Sequence, residues 1–259
     1  MDIQVHGTTV HYERFGTGKN RVVFLHGWGC STELTRPIGN LLADDMDVLL
    51  IDFPAHGQSG RPPQPWGVPE FAACTLEVLR ELDFLPCAVI AQSFGARVAI
   101  WLASEDETLF TRLILTGAAG VKKPATAESS KRTQQYKKLK KAVGVLRSMK
   151  IFGSLPDMAE EALRRKYGSA DYNALDEEMR KTFVKVISLD LTDRLSGVRQ
   201  PTLLVFGDQD TETPLWMAKV MEKNIPDAGL VTFEGGTHFA YLEQAARFGA
   251  IARHFLKEE

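Results

Sequence analysis

The 259-residue chain is poor in cysteine, with only Cys30, Cys74 and Cys87, an odd and scattered set. That excludes a disulfide framework and fits a reducing compartment. Long apolar runs are missing too, since none approaches the roughly 18 residues that a membrane-spanning helix requires. The opening Met1-Asp2-Ile3-Gln4-Val5 has no basic stretch followed by an apolar one, so no secretory signal is read. A cytoplasmic protein with no transmembrane segment is expected. Neither H-E-x-x-H nor a cysteine pair at ligand spacing occurs, so no metal site is expected. Gly16-Thr17-Gly18-Lys19 precedes a strand where a phosphate loop must follow one, and no cofactor is expected. A strong net charge is also absent: the formal value is −2. That balance argues against nucleic acid as a partner.

What remains is the composition of a globular enzyme-sized domain, 44% hydrophobic and 25% charged. Its most informative fragment is Ala91-Gln92-Ser93-Phe94-Gly95. Upstream, Cys87 to Ala91 is a short apolar run of strand length, and downstream Gly95 to Ala103 is small, apolar and helically spaced. A serine at such a junction is lifted above the sheet edge in a strained turn. Small residues two before and two after it let strand and helix crowd together, the physics of the G-x-S-x-G nucleophile elbow. Ala91 replaces the first glycine, keeping the size but not the freedom at positive φ.

A nucleophilic serine needs a base, and the base needs an orienting acid. Thr202-Leu203-Leu204-Val205-Phe206 reads as a buried strand ending in Gly207-Asp208-Gln209-Asp210. Gly229-Leu230-Val231-Thr232-Phe233 reads as another, running into Glu234-Gly235-Gly236-Thr237-His238. Each candidate thus sits just past the carboxyl end of a strand, where open α/β sheets place their sites. His238 is the candidate base, and Asp208 and Asp210 compete for the acid. His6, His11 and His254 show no partner pattern.

Strands and helices alternate from residue 21 to about 117, as in a mostly parallel sheet covered on both faces. The expected strands are Arg21–Leu25, Val48–Asp52, Ala88–Gln92 and Arg112–Thr116, after an N-terminal hairpin holding His6 and His11. From Val121 to Thr192 the alternation stops and the segment reads as helical, with Asp157-Met158-Ala159-Glu160 as a capping box. It resumes at Pro201. The expected architecture is therefore α/β, a mostly parallel central sheet flanked by helices, with an all-helical cap inserted after the sixth strand. The core comprises residues 1–121 and 193–259, and the cap 122–192.

Charge collects in that insertion. Lys122, Lys123, Lys131, Arg132, Lys137, Lys138, Lys140, Lys141, Arg147 and Lys150 face a single acid, Glu128. Tyr136, Leu139, Val143 and Leu146 recur at helical spacing, an apolar stripe expected to dock inward with the lysines outward. One reading is a solvated face, and the other a landing site for an acidic partner.

Leu25-His26-Gly27-Trp28-Gly29, Asp52-Phe53-Pro54-Ala55-His56-Gly57-Gln58-Ser59, the elbow at Ser93, Gly207 to Asp210 and the His238 loop together resemble the α/β-hydrolase family over nearly the whole chain. The resemblance implies a Ser93, Asp210 and His238 triad, with Asp210 preferred to Asp208 as the acid. It implies an oxyanion hole from the backbone N–H groups of Trp28 and Phe94, and a cap over the site. It also implies bracing roles for His26 and His56. Leu25 to Cys30 with a basic cap is similar to the carboxylesterases that release pimeloyl from its methyl ester on acyl carrier protein. The expected function is a serine hydrolase cleaving a carboxylic ester of a small acyl substrate by two-step acyl transfer. An acidic acyl carrier protein would dock through Lys131, Arg132, Lys137, Lys138, Lys140 and Lys141. The alternatives are a carbon–carbon bond hydrolase of ring-cleavage products, or a non-catalytic ligand receptor on the same fold.

Overall fold

The short apolar runs become neighbouring strands. The computed structural model describes residues 1–122, 127–149 and 154–257. One eight-stranded sheet is built from β1 (Asp2–Val5), β2 (Thr8–Phe15), β3 (Asn20–Leu25), β4 (Met46–Ile51), β5 (Cys87–Gln92), β6 (Phe110–Thr116), β7 (Thr202–Gly207) and β8 (Ala228–Phe233). Its order is β1-β2-β4-β3-β5-β6-β7-β8. β1 pairs antiparallel with β2, and β2 with β4, while every pair from β4 to β8 is parallel. All strand carboxyl ends of the parallel part therefore point the same way, which sets the site at that edge.

Period-two alternation divides the core into two layers. Val23, Leu25, Val89, Ala91, Leu113 and Leu115 join one buried cluster, with Phe71, Val98 and Ala218. Val22, Phe24, Ile90, Ile114 and Val205 face the other, with Ile38, Tyr241 and Phe248. The first layer is covered by α2 (Val68–Glu81), α3 (Phe94–Glu105) and α8 (Leu215–Asn224), and the second by α1 (Thr32–Leu42) and α10 (Ala245–Leu256). A turn of helix, α9 (Ala240–Glu243), precedes α10. Burial on both faces explains why the central strands are apolar throughout instead of alternating.

Between β6 and β7 lie α4 (Ala127–Ser148), α5 (Leu155–Tyr167), α6 (Ala170–Ala174), α7 (Glu177–Ser188) and a 3-10 turn at Thr192–Gly197. The chain divides into two compact units, Met1–Lys122 with Val184–Glu259, and Lys123–Phe183. Within the helical unit, Tyr136 of α4 packs on Tyr167 of α5 with ring centroids 5.5 Å apart. Arg147 of α4 pairs with Asp157 at 2.6 Å and Glu160 at 2.8 Å on α5. Those ion pairs correct the capping-box reading: α5 opens at Leu155 behind Ser154, and Asp157 and Glu160 serve the neighbouring helix instead. The apolar stripe is corrected as well. Val143 is buried, but Leu139 is 44% and Leu146 39% exposed.

Candidate active site

β5 delivers Ser93 at its carboxyl end. The Ser93 backbone sits at φ 49° and ψ −105°, in the left-handed half of the map where a residue with a Cβ is strained by about 1–3 kcal/mol. Three hydrogen bonds hold it there. Its N–H donates to Thr116 O at 3.1 Å, and its carbonyl accepts from Ala96 N at 3.2 Å and Ala119 N at 3.3 Å. α3 starts at the next residue, and Gly95 shows why a small side chain is needed. A Cβ there would stand 2.1 Å from the Leu25 carbonyl oxygen and 2.8 Å from that of His26. Ala91 is fully buried, in register with Leu25 of β3 on one side and Leu115 of β6 on the other.

β7 and β8 deliver the other candidates. Gly207 ends β7 so close to the next loop that a Cβ would lie 2.1 Å from Gly236 O. The two aspartates then part. Asp208 Oδ1 accepts the Gly235 N–H at 2.8 Å, bracing the turn after β8. Asp210 Oδ2 accepts from His238 Nδ1 at 2.8 Å. Its Oδ1 takes the N–H groups of Glu212 at 2.8 Å and Thr213 at 2.9 Å, and Thr213 Oγ1 donates to Oδ2 at 2.7 Å. Burial works to raise the pKa of this carboxyl, but the hydrogen bonds from His238 and Thr213 outweigh it and hold it below the ordinary aspartate value. Asp210 is therefore an anion whose partner is an imidazole N–H. Nδ1 carries the proton, leaving Nε2 as the basic nitrogen.

One turn touches both the serine and the histidine. Thr116 binds Ser93 as described, and Gly117 lies against the ring, its Cβ position 3.2 Å from His238 Nδ1. Gly117 is at φ +48°, so only glycine takes that place without strain.

The loop after β3 packs beside the start of α3. Trp28 and Phe94 rings meet at 5.5 Å, and Trp28 also stands 4.9 Å from His56. His26 is wholly buried, its Nδ1–H donating to Gly27 O at 2.7 Å and its Nε2 accepting the Phe53 N–H at 3.0 Å. It thereby ties the β3 and β4 loops together. Burial, followed by the charge of His56, lowers its pKa to about 3. His56 is also pushed down by burial, with its ring hydrogen-bonded to Pro54 O at 3.1 Å. Asp52 braces the same region, accepting Thr32 N at 2.6 Å and Gln58 N at 2.8 Å.

Sequence reasoning overlooked two features here. Thr213 has no motif beyond the proline that follows it, and it contacts both Asp210 and His238. Gln92 packs its carboxamide on Gly27, with Oε1 buried and without a hydrogen-bond partner among the described residues. His6 and His11, which show no partner pattern in the sequence, pair with Glu77 at 2.7 Å and Asp2 at 2.8 Å. Lys131, Lys137, Lys138, Lys140 and Lys141 are exposed on α4. The Arg132 side chain, Lys123 and Lys150 lie outside the described residues. No group of three or more metal-ligating side chains occurs among the described residues. Nor is any described helix long and apolar enough to cross a membrane.

A parallel sheet with a strained serine after its central strand, and an Asp–His pair in the loops after its last two strands, is the architecture of α/β hydrolases. A model of the alpha/beta hydrolase family matches residues 22–251, and the chain belongs to that family. Among curated relatives it is similar to a pimeloyl-[acyl-carrier protein] methyl ester esterase from Neisseria meningitidis serogroup C, at 27% identity. That match covers 92% of this chain and 93% of the relative. A protein of the same description from Legionella pneumophila is 26% identical over 96% of this chain and 99% of its own. Among solved structures, a meta-cleavage product hydrolase from Pseudomonas fluorescens superposes with a TM-score of 0.73. It is 19% identical and covers 98% of this chain and 96% of its own, a likeness of fold.

Proposed function

We propose that the protein is a serine esterase that cleaves a carboxylic ester by two-step acyl transfer. The observation that carries the reading is the Asp210–His238 pair, with its Nδ1–Oδ2 distance of 2.8 Å and a fully buried carboxylate, past the ends of β7 and β8 on the same sheet edge as the strained Ser93 elbow after β5. His238 Nε2 takes the Ser93 hydroxyl proton as Oγ attacks the ester carbonyl, and Asp210 stabilises the imidazolium that forms. The N–H groups of Trp28 and Phe94 receive the oxyanion. Collapse breaks the ester C–O bond, His238 protonates the leaving alcohol, and an acyl-serine remains. Water, deprotonated by His238, then attacks that acyl group. The acid departs and the Ser93 hydroxyl is restored.

The relatives' descriptions and the exposed lysines of α4 support a carrier-linked acyl ester as substrate, with the acidic carrier held through those lysines. Residues 122–192 are assigned the role of a cap that shapes substrate entry. A cytoplasmic setting is assigned from the odd, scattered set of three cysteines in the sequence.

The test is a fluorophosphonate probe on the wild type and Ser93→Ala, with the adduct mapped by mass spectrometry, beside turnover of p-nitrophenyl esters. Labelling at Ser93, and a loss of roughly a thousandfold or more in the variant, are expected. A wild type that binds esters yet neither labels nor turns over would establish the receptor reading instead.

A further inference from the structure

Thr213 lies against the Asp210–His238 pair, and its hydroxyl reaches both partners. Oγ1 is 2.7 Å from Asp210 Oδ2 and 3.2 Å from His238 Nδ1. A hydroxyl has one proton to give, which leaves two arrangements. If it points at Nδ1, that nitrogen must be an acceptor, and its 2.8 Å approach to Asp210 Oδ2 sets one lone pair against another. If it points at Oδ2, every contact is satisfied. The carboxylate accepts from Thr213 and from Nδ1–H, while the hydroxyl oxygen turns a lone pair toward the same Nδ1–H. Only the second arrangement is free of conflict, and it requires the Nδ1–H tautomer.

We propose that Thr213 is a positioning residue, which fixes His238 in the tautomer that leaves Nε2 as the base and keeps Asp210 charged without solvent. The proposal rests on the Ser93–His238–Asp210 reading. The Asp210 side chain has no exposure, so no bulk water supplies the donor that Thr213 provides. The backbone N–H of the same residue holds the other carboxylate oxygen at 2.9 Å, so one residue grips both oxygens and sets the plane of the carboxylate. This is a catalytic contribution exerted through Asp210 and His238, with no contact to substrate required.

The test replaces the hydroxyl and keeps everything else. Thr213→Val is nearly isosteric and retains the backbone N–H, and Thr213→Ser restores the hydroxyl alone. With p-nitrophenyl acetate, Thr213→Val should lower kcat by roughly ten- to a hundredfold, the effect of one hydrogen bond to a charged group, with KM moved by less than about twofold. Thr213→Ser should recover to within about threefold of wild type. The far-downfield proton resonance of His238 Nδ1 should shift or broaden in Thr213→Val and return in Thr213→Ser. Thr213→Ala, read in the same way, takes the place of the valine variant where that does not fold. An unchanged kcat, a loss carried by KM alone, or a serine variant as slow as the valine one overturns the proposal. Fluorophosphonate labelling separates the two levels of failure. A wild type that is not labelled at Ser93 overturns the triad and this inference together. A wild type that labels at the same rate as Thr213→Val overturns this inference alone.

Discussion

Acidification from about pH 7 to about pH 5 should weaken the fold through one ring, His26. Its Nε2 is the acceptor for the Phe53 N–H, and its Nδ1–H is spent on Gly27 O. A second proton on the ring removes that acceptor and sets two N–H groups face to face in a buried site. Burial, reinforced by His56, holds the pKa at about 3, against 6.5 for an ordinary histidine. Between those values the unfolded chain binds more protons than the folded one, so stability falls as pH falls. It is fully present above about pH 6.5 and lost progressively towards about pH 3. One proton gives a slope approaching about 1.4 kcal/mol per pH unit, and the integrated loss from about pH 7 to about pH 5 is about 2 kcal/mol. His56, also held down by burial, adds to the wild-type loss in the same direction. The assay is urea unfolding of the wild type and His26→Gln across this range. Glutamine keeps an amide donor and acceptor but does not titrate, so the carboxylates cancel in the comparison. The variant is the less stable protein at neutral pH, and the gap should narrow by about 2 kcal/mol by about pH 5. A constant gap refutes the linkage. So does a His26 ring-proton resonance that titrates near the ordinary histidine value.

Gly95→Ala should cost about 1–3 kcal/mol in urea unfolding and slow the labelling of Ser93, because its Cβ meets the Leu25 and His26 carbonyl oxygens and pushes α3 off β3. Wild-type stability and labelling together would show that the elbow does not need the close approach. Hydrolysis of an acyl ester on an acidic carrier protein should slow as ionic strength rises from about 0.05 to about 0.5 M, while a small neutral ester scarcely responds. Equal salt responses would remove the role given to Lys137, Lys138, Lys140 and Lys141.

The central strands are legible because an apolar run of five or six residues between turn residues has few alternatives. β3, β5 and β7 match their sequence readings to within one residue, and β6 gains two at its start. The elbow is legible for the same reason, since strand, serine, small residue and helix are local. Tertiary choices are less so. Asp157-Met158-Ala159-Glu160 spells a capping box, yet both carboxylates go to Arg147 across the hairpin, an ion pair that local pattern cannot announce. The Leu139 and Leu146 stripe has the period of a docking face without the burial. Asp208 and Asp210 are two residues apart on one turn, and their residue types do not separate them. Family resemblance favours Asp210, and the distances explain what distinguishes them: Asp208 is spent on a backbone N–H across the turn, and Asp210 faces His238.

The least legible part of the site is the turn after β6, Thr116-Gly117-Ala118-Ala119. Apart from the Thr116 hydroxyl it carries no polar side chain, and it has no motif, yet it links the two halves of the proposed mechanism. Thr116 O and Ala119 N hold the backbone of Ser93 at both ends, and Gly117 lies against His238 while its own N–H is fixed to Val205 O of β7. The strain at Ser93 is thus opposed by three hydrogen bonds, two of them from a segment anchored to the strand that also presents Asp210. A strained backbone persists only where its surroundings over-determine it. Here the over-determination comes from the neighbouring strand, so the backbone of Ser93 is held by the sheet's parallel register, with little left to the freedom of loops. The side chains proposed for the site are named from local sequence pattern and family resemblance. The backbone groups that hold Ser93 and lie against His238 emerge only when β5, β6 and β7 are laid side by side.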